Sequence, residues 1–391
     1  MSGGFKFDFS ASEDDNASYH ESAHESGEIN EGDVLITKLQ QRCESSSCKI
    51  VNASAKSIPV NESVSSGDSN LDTVSSFQPK LGFHHHETVD LFPSTIDPIR
   101  YVIPQHTLSD DTTDLIPGVY EGGLKVWECS VDLCRFLASV MDRINTKEDV
   151  SIDGKSELNN DFTDGLEHVI EAVKNSITEG GLTMELGCGH GLPGCLVLRE
   201  NIRNTLSDAA LNESSMVVFT DFNDFVLQYA TIPNAQINMS GLRCSNGVSM
   251  DEYGAAQSLL KKAIFAGGDW MCLSHKITNG IVKLPSNAHG RFDLILASET
   301  TYTTDSCNDT AFLMLKHLKI GTGVGLVATK RFYFGVGGGT DMFADAVKAL
   351  NRCTNYPFSN KKLVWRTIKS YDTGNANIRD LIEVRCVTKQ C

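Results

Sequence analysis

The residues in this chain best suited to chemistry are gathered in Glu185-Leu-Gly187-Cys-Gly189-His190-Gly191-Leu-Pro193-Gly194. Its glycines permit positive φ and leave backbone N–H groups open to a ligand that side chains would keep away. Pro193 stands where a first helical turn tolerates a missing N–H. Gly189-x-Gly191-x-x-Gly194 satisfies the phosphate-loop fingerprint of dinucleotide sites. Glu185-x-Gly187-x-Gly189-x-Gly191 satisfies a second pattern, an acid followed by three alternating glycines. A purely structural turn would satisfy both. Three further groups each close an apolar run: Asp221-Phe222-Asn223, Asp269-Trp270, and Ser298-Glu299 with Tyr302 just beyond. In an open α/β sheet, ligands sit outside the carboxyl ends of the strands, and an acid after the second strand can bind ribose hydroxyls. The polar insertion 207–215 accounts for its extra distance from the Gly turn. Asp269 suits an adenine amino group, with Trp270 beside the ring. Each acid alone also reads as the N-cap of a following helix.

Alternating strand and helix patterns must position these groups. Gly181–Leu186 reads as a buried strand entering the turn, and Leu192, Cys195, Leu196 and Leu198 as the helix leaving it. Further apolar runs are Met216–Thr220, Ala263–Ala266, Phe292–Ala297 and Gly323–Thr329. Helical spacing recurs at 126–141, 166–177, 226–233, 312–318 and 342–350. Lys362–Ile368 and Leu381–Val387 read as a terminal hairpin. The pattern predicts an α/β fold: a Rossmann-like, mostly parallel sheet of about seven strands with one antiparallel strand at its end, a different arrangement from the six-stranded dinucleotide fold.

Residues 1–85 are rich in Ser, Asn, Asp and Glu and lack periodicity, which predicts a disordered acidic tail before a domain spanning 97–391. Phe5-Lys-Phe-Asp-Phe9 reads as a short docking strand or a greasy patch. His84-His85-His86 lacks suitably spaced co-ligands, so no metal site is expected. The net charge of −16 excludes a general basic field for nucleic acid, and no direct nucleic-acid readout is expected. The 12 cysteines show no Cys-x-x-Cys pair and read as reduced thiols of an intracellular protein. No run reaches the roughly 20 apolar residues of a membrane span. His190 and His317 lack acid or Cys partners in sequence and read as structural.

From about Leu115 onward the chain resembles the eukaryotic histidine protein methyltransferase family, seven-strand class I enzymes using S-adenosylmethionine (SAM). The resemblance is carried by Tyr120-Glu-Gly-Gly-Leu-Lys-Val-Trp-Glu-Cys129, Glu185-Leu-Gly-Cys-Gly189, Thr220-Asp-Phe-Asn223, Ile232-Pro-Asn234, Gly268-Asp-Trp270, Ser298-Glu-Thr-Thr-Tyr302 and Tyr333-Phe-Gly-Val-Gly-Gly-Gly339. The Phe-rich start also resembles that family and implies a docking partner. His190 replaces a small residue, and the insertions at 145–160, 205–215, 240–260 and 272–290 are long. The resemblance implies SAM as methyl donor and a basic ribosomal protein as substrate, with a histidine of large-subunit ribosomal protein three (uL three) as acceptor. It implies a cytoplasmic or nuclear location. It places Lys125, Val126, Trp127, Glu128, Gly187, Gly189, Gly191, Asp221, Phe222, Asn223, Asp269, Trp270 and Ser298 around the cofactor.

Neutral imidazole already carries a lone pair and needs no strong base. It needs the correct tautomer and an acceptor for the charge that develops on the ring. Glu299 is the candidate acceptor, with Tyr302 and Tyr333 as walls or hydrogen-bond partners; a supporting role at the strand edge is its plain alternative. Gly335–Gly339 suits close passage of a substrate backbone, a mobile lid or a turn. Three other readings stay open: a lysine methyltransferase of the same fold, a nicotinamide dehydrogenase, and a non-catalytic scaffold.

Overall fold

A computed structural model describes residues 30–51, 83–104, 120–146, 165–207, 215–240, 242, 258, 261–372, 374 and 377–389. The Phe5–Phe9 start, the 115–118 loop and most of three insertions (145–160, 205–215, 240–260) lie outside the described residues.

In chain order the elements are α1 (Glu31–Ser45), β1 (Cys48–Val51), β2 (Phe83–Val89), β3 (Ile99–Pro104), α2 (Glu128–Thr146), α3 (Glu167–Thr178), β4 (Leu182–Leu186) and α4 (Leu192–Ser207). There follow β5 (Met216–Asp221), α5 (Asp224–Val226), a π turn (Leu227–Thr231), α6 (Ile232–Met239), β6 (Ala263–Gly268), α7 (Trp270–Thr278) and β7 (Leu294–Ser298). The chain ends with α8 (Thr304–His317), β8 (Val324–Lys330), α9 (Thr340–Asn351), β9 (Lys361–Tyr371) and β10 (Arg379–Thr388).

The sheet order is β1-β6-β5-β4-β7-β8-β10-β9. β6, β5, β4, β7 and β8 run parallel, and β10 enters antiparallel to both β8 and β9. Every residue of β4 and β7 is buried, as strands covered on both faces require. On one face Leu133, Leu137, Val173, Leu196 and Phe219 join a core under α2, α3 and α4. On the other, Met184, Ile295, Phe312 and Phe343 pack under α1, α7, α8 and α9. This is the seven-strand class I methyltransferase arrangement, extended by one strand.

Within residues 1–85, expected as a disordered tail, the described segment 30–51 is ordered. Residues 31–45 form a helix, and β1 pairs antiparallel with β6 through Cys48↔Gly268 to Val51↔Phe265. Among the described side chains of this helix, Ile36 and Leu39 are the apolar ones that are buried, a short stripe that gives little periodic signal. Its docking rests on polar anchors instead. The Asn30 side chain accepts from Gly32 N–H at 2.9 Å and donates to Arg352 O at 2.7 Å. Asp33 accepts from Thr354 N–H at 2.9 Å and Thr354 O–H at 2.6 Å. Tertiary contact, not propensity, forms this helix. Order also begins before Asp97: β2 pairs with β3 in a separate hairpin, which Asn234 and Asn238 of α6 pin through Val102 N–H at 2.7 Å and Arg100 N–H at 2.8 Å. The 272–290 segment is not a loop insertion throughout, since α7 fills its first part.

Candidate active site

The turn after β4 takes positive φ at Gly187 (55°), Gly189 (52°) and Gly191 (66°). Space reinforces the requirement. A Cβ on Gly191 would stand 2.6 Å from Thr231 Cγ2, a residue presented by the π turn. The Thr231 hydroxyl donates to Gly189 O at 2.6 Å, so this irregularity in the α5–α6 run buttresses the Gly turn. Glu185 is buried at the end of β4 and accepts from Gly194 N–H, in the first turn of α4, at 2.9 Å. Its Oε1 has no partner, and burial pushes its carboxyl up to about 8.

Asp221 closes β5 as expected. It accepts from Gly189 N–H at 2.9 Å and from Asn223 N–H at 3.0 Å. Burial raises its carboxyl to about 6 against those two hydrogen bonds. A carboxylate offers about four lone-pair sites, so two remain that could accept from a ligand. Asn223 accepts from Glu121 N–H at 3.1 Å, tying the 120–127 segment to this corner, while Phe222 is 39% exposed. Trp270 opens α7 with its ring edge over Gly187: a Cβ there would meet Trp270 Cζ2 at 3.3 Å and Thr300 Cγ2 at 2.9 Å. Its indole N–H is buried without a partner. Ser298 is nearly buried at the end of β7.

Asp269, expected from the sequence at an adenine amino group, follows β6 directly. It is the N-cap of α7, accepting from Met271 N–H at 2.7 Å and Cys272 N–H at 3.2 Å. The same carboxylate accepts from Ser46 O–H at 3.2 Å and Arg42 Nε–H at 2.8 Å. Oδ1 thus takes three donors and Oδ2 takes one. Lys125 Nζ lies 4.6 Å from the Trp127 ring centroid, and Lys330 Nζ lies 5.2 Å from that centroid and 4.0 Å from the Glu128 carboxylate. Val126 packs against the core.

Lys330 leads to the second half of the site. Glu299 follows β7 with φ 55°, a strained value for a side-chain-bearing residue, and its N–H donates to Ala328 O at 2.9 Å. Its carboxylate is 7% exposed. Oε2 accepts the Tyr333 hydroxyl, whereas Oε1 has no hydrogen-bond partner and faces Lys330 Nζ at 3.8 Å. Burial, then the Glu299 charge, raises the Tyr333 hydroxyl well above its ordinary value, so it stays a donor. Tyr302 donates to the Glu121 carboxylate, and burial with that neighbour raises its hydroxyl too. Phe332, Phe334 and Val336 are exposed on either side of the inward Tyr333. Gly337 bridges Thr303.

Thus Gly187, Gly189, Gly191, Asp221 and Trp270 meet at one corner, and Glu299, Tyr333, Trp127 and Glu128 meet around Lys330. Sequence reasoning missed Lys330 and Glu121. Lys330 closes β8 and was open to the rule that selected the other strand endings; Glu121 lies inside a motif already singled out. His190 and His317 are structural. His190 Nε2 meets Leu124 O at 3.0 Å and its Nδ1 meets the Asn234 amide at 3.2 Å. His317 Nδ1–H donates to Gly290 O at 2.7 Å and its Nε2 accepts from Ser274 O–H at 2.8 Å. Among the described residues no group of three or more metal-ligating side chains occurs, and no helix is long and apolar enough to cross a membrane.

Sheet order and the Gly-turn corner define the architecture of a class I methyltransferase. No family model matches the chain. The histidine protein methyltransferase 1 homolog of Dictyostelium discoideum is 30% identical over 274 residues, 70% of this chain and 61% of that protein. The homolog of Rattus norvegicus is 30% identical over 242 residues, 60% of this chain and 52% of its own length. Histidine protein methyltransferase 1 of Schizosaccharomyces pombe is 29% identical over 240 residues, 59% of this chain and 57% of its own. The chain therefore spans between about half and three fifths of the curated relatives it matches, and the resemblance read from its motifs holds. Among solved structures, the O-methyltransferase of Bacillus cereus in complex with SAH is 13% identical with a TM-score of 0.33, covering 65% of this chain and 90% of that one. A likeness of that size carries no argument.

Proposed function

We propose that the chain is a SAM-dependent protein-histidine N-methyltransferase acting on a basic ribosomal protein, with a histidine of large-subunit ribosomal protein three (uL three) as the acceptor its family resemblance implies. The buried Oε1 of Glu299, which has the Lys330 ammonium at 3.8 Å but accepts no hydrogen bond, carries this reading. A buried carboxylate oxygen without a hydrogen bond is costly, and a substrate N–H relieves it. The names of the relatives support the acceptor class, and the Asp221–Trp270 corner fits SAM.

SAM supplies an electrophilic methyl on a sulfonium. Asp221 accepts the ribose hydroxyls, and the glycines let the nucleoside reach the backbone. Trp270 walls one side. On the acceptor side, Glu299 would accept the N–H of one imidazole nitrogen and leave the other nitrogen with its lone pair free. The Tyr333 hydroxyl holds the opposite carboxylate oxygen, so the carboxylate cannot turn away. Glu299 would also stabilise the positive charge developing on the ring and would take up the remaining N–H proton or pass it to solvent, so the site would contribute mainly orientation and electrostatic stabilisation. The docking partner of the Phe5–Phe9 start and a cytoplasmic or nuclear location belong to the same proposal.

The deciding experiment incubates the protein with SAM and a lysate lacking the endogenous activity, then locates the methyl group by mass spectrometry. Methyl-histidine on a ribosomal protein is expected. Methyl-lysine would move the reading to the lysine alternative, and SAM binding by calorimetry without any methylated product would leave a non-catalytic SAM-binding scaffold.

A further inference from the structure

Arg42, near the end of α1, reaches across to two acids of the main domain. Its Nε–H donates to Asp269 Oδ2 at 2.8 Å, and Nη1 and Nη2 donate to Asp309 Oδ1 and Oδ2 at 3.1 and 2.6 Å. Such fork-to-fork pairing fixes geometry as well as charge. The residues that follow add two more contacts on Asp269: the Ser46 hydroxyl on its carboxylate, and Ser47 O accepting its N–H at 3.0 Å.

Asp269 adjoins one wall of the Gly-turn corner, and Asp309 adjoins a residue that contacts the other. Asp269 caps α7 and immediately precedes Trp270, the indole over Gly187 whose buried N–H lacks a partner. Asp309 precedes Thr310, whose hydroxyl lies 3.5 Å from Thr300 O and 3.4 Å from Thr300 Oγ1. Thr300 Cγ2 is the other neighbour of Gly187. One guanidinium thus ties together the supports of both walls. β1 then closes the outer edge of β6 beside them.

We propose that Arg42 is a positioning residue for the nucleoside end of the cofactor site, so that segment 30–51 is part of the SAM-binding machinery. The proposal rests on the SAM reading above. Arg42 touches no reacting atom. It sets where Trp270 and Thr300 stand, and its removal widens the corner rather than emptying it.

The test compares full-length wild type with Arg42→Ala, Arg42→Lys and Asp309→Asn, by calorimetric titration with SAM and SAH and by steady-state kinetics. Breaking charged hydrogen bonds of this kind corresponds to about a 10-fold loss or more. Arg42→Ala and Asp309→Asn are expected to weaken SAM and SAH alike by about that factor and to raise the KM for SAM, with kcat at saturating SAM within about twofold of wild type. Arg42→Lys, which cannot span both acids, is expected to recover only part of the loss. A merely structural role would lower Tm and leave the KM of the folded fraction alone. Wild-type SAM affinity in Arg42→Ala overturns the proposal, as does a fall in kcat with KM unchanged. Should Arg42→Ala fail to fold, Asp309→Asn and Arg42→Lys decide in the same terms. Failure of the wild type to bind SAM overturns the functional reading itself.

Discussion

At Asp221 the same carboxylate that holds Gly189 and Asn223 must also meet a ligand. Its carboxyl is raised to about 6, so it is ionised and fully accepting above that pH and becomes a competing donor below it. SAM affinity is therefore expected to be constant above about pH 7 and to fall as pH drops through 6. A titration series showing unchanged affinity down to pH 5 would remove Asp221 from the ribose. Glu299 tests the other half of the site. Glu299→Gln keeps an acceptor oxygen and removes the charge, so methyl transfer is expected to slow about 10²-fold, with SAM affinity barely altered. The wild-type rate is expected to rise through the imidazole pKa near 6.5 and then flatten. A rate still climbing towards pH 10 would point to a lysine acceptor.

Among the elements, α1 and β1 change most from the sequence expectation. A disordered tail would be removable without thermal consequence. The docked segment buries Ile36, Leu39 and Cys48, and full burial of an aliphatic side chain contributes roughly 1.5–3 kcal/mol before the entropy of ordering is subtracted. Deleting residues 1–51 is accordingly expected to lower Tm by about 5 °C or more, on a scale of roughly 2–4 °C per kcal/mol for a domain of 150–250 residues. Calorimetry showing the Tm unmoved would mean the segment does not dock in solution. The α5–α6 run makes a related point. Its π turn costs regular hydrogen bonding, and that cost is offset where Thr231 reaches Gly189 O.

For the whole molecule, opposed titrations set the dependence of stability on pH. Burial lowers His190 to about 4 and His317 to about 3, so each stabilises the fold above its unfolded pKa near 6.5 and loses that contribution as pH falls. Glu185 and Asp221 are raised, so their contributions are complete below their unfolded pKa values near 4 and fade as pH rises. Between about pH 4.5 and 6 the two pairs pull in opposite directions. Replacing His317 with Asn removes one of the four. The stability difference between variant and wild type is then expected to shrink with falling pH by about 1.4 kcal/mol per unit in this window. Urea denaturation at three pH values measures it, and parallel curves would show that His317 does not titrate with unfolding.

Much of this was legible locally. Buried strands are short apolar runs, and Gly187, Gly189 and Gly191 announce a turn that no side chain fits. Acids closing strands β5 and β6 were visible for the same reason: the chain turns polar where it leaves the sheet. The α/β class and the order of site segments along the chain follow from these patterns. Whether an acid at a strand end meets a ligand or its own fold does not. Asp221 takes two donors, both from its own neighbourhood of strand ends, whereas Asp269 takes four, from α7 and from Arg42 and Ser46 more than two hundred residues away. The pairing of Lys330 with Glu299, of Glu121 with Tyr302, and of α1 with α7 and α9 likewise needs distant parts of the chain to meet. Hydrophobic periodicity is a local record of which face is buried, while hydrogen-bond partnership depends on which neighbour the fold brings near, and only the tertiary structure decided that.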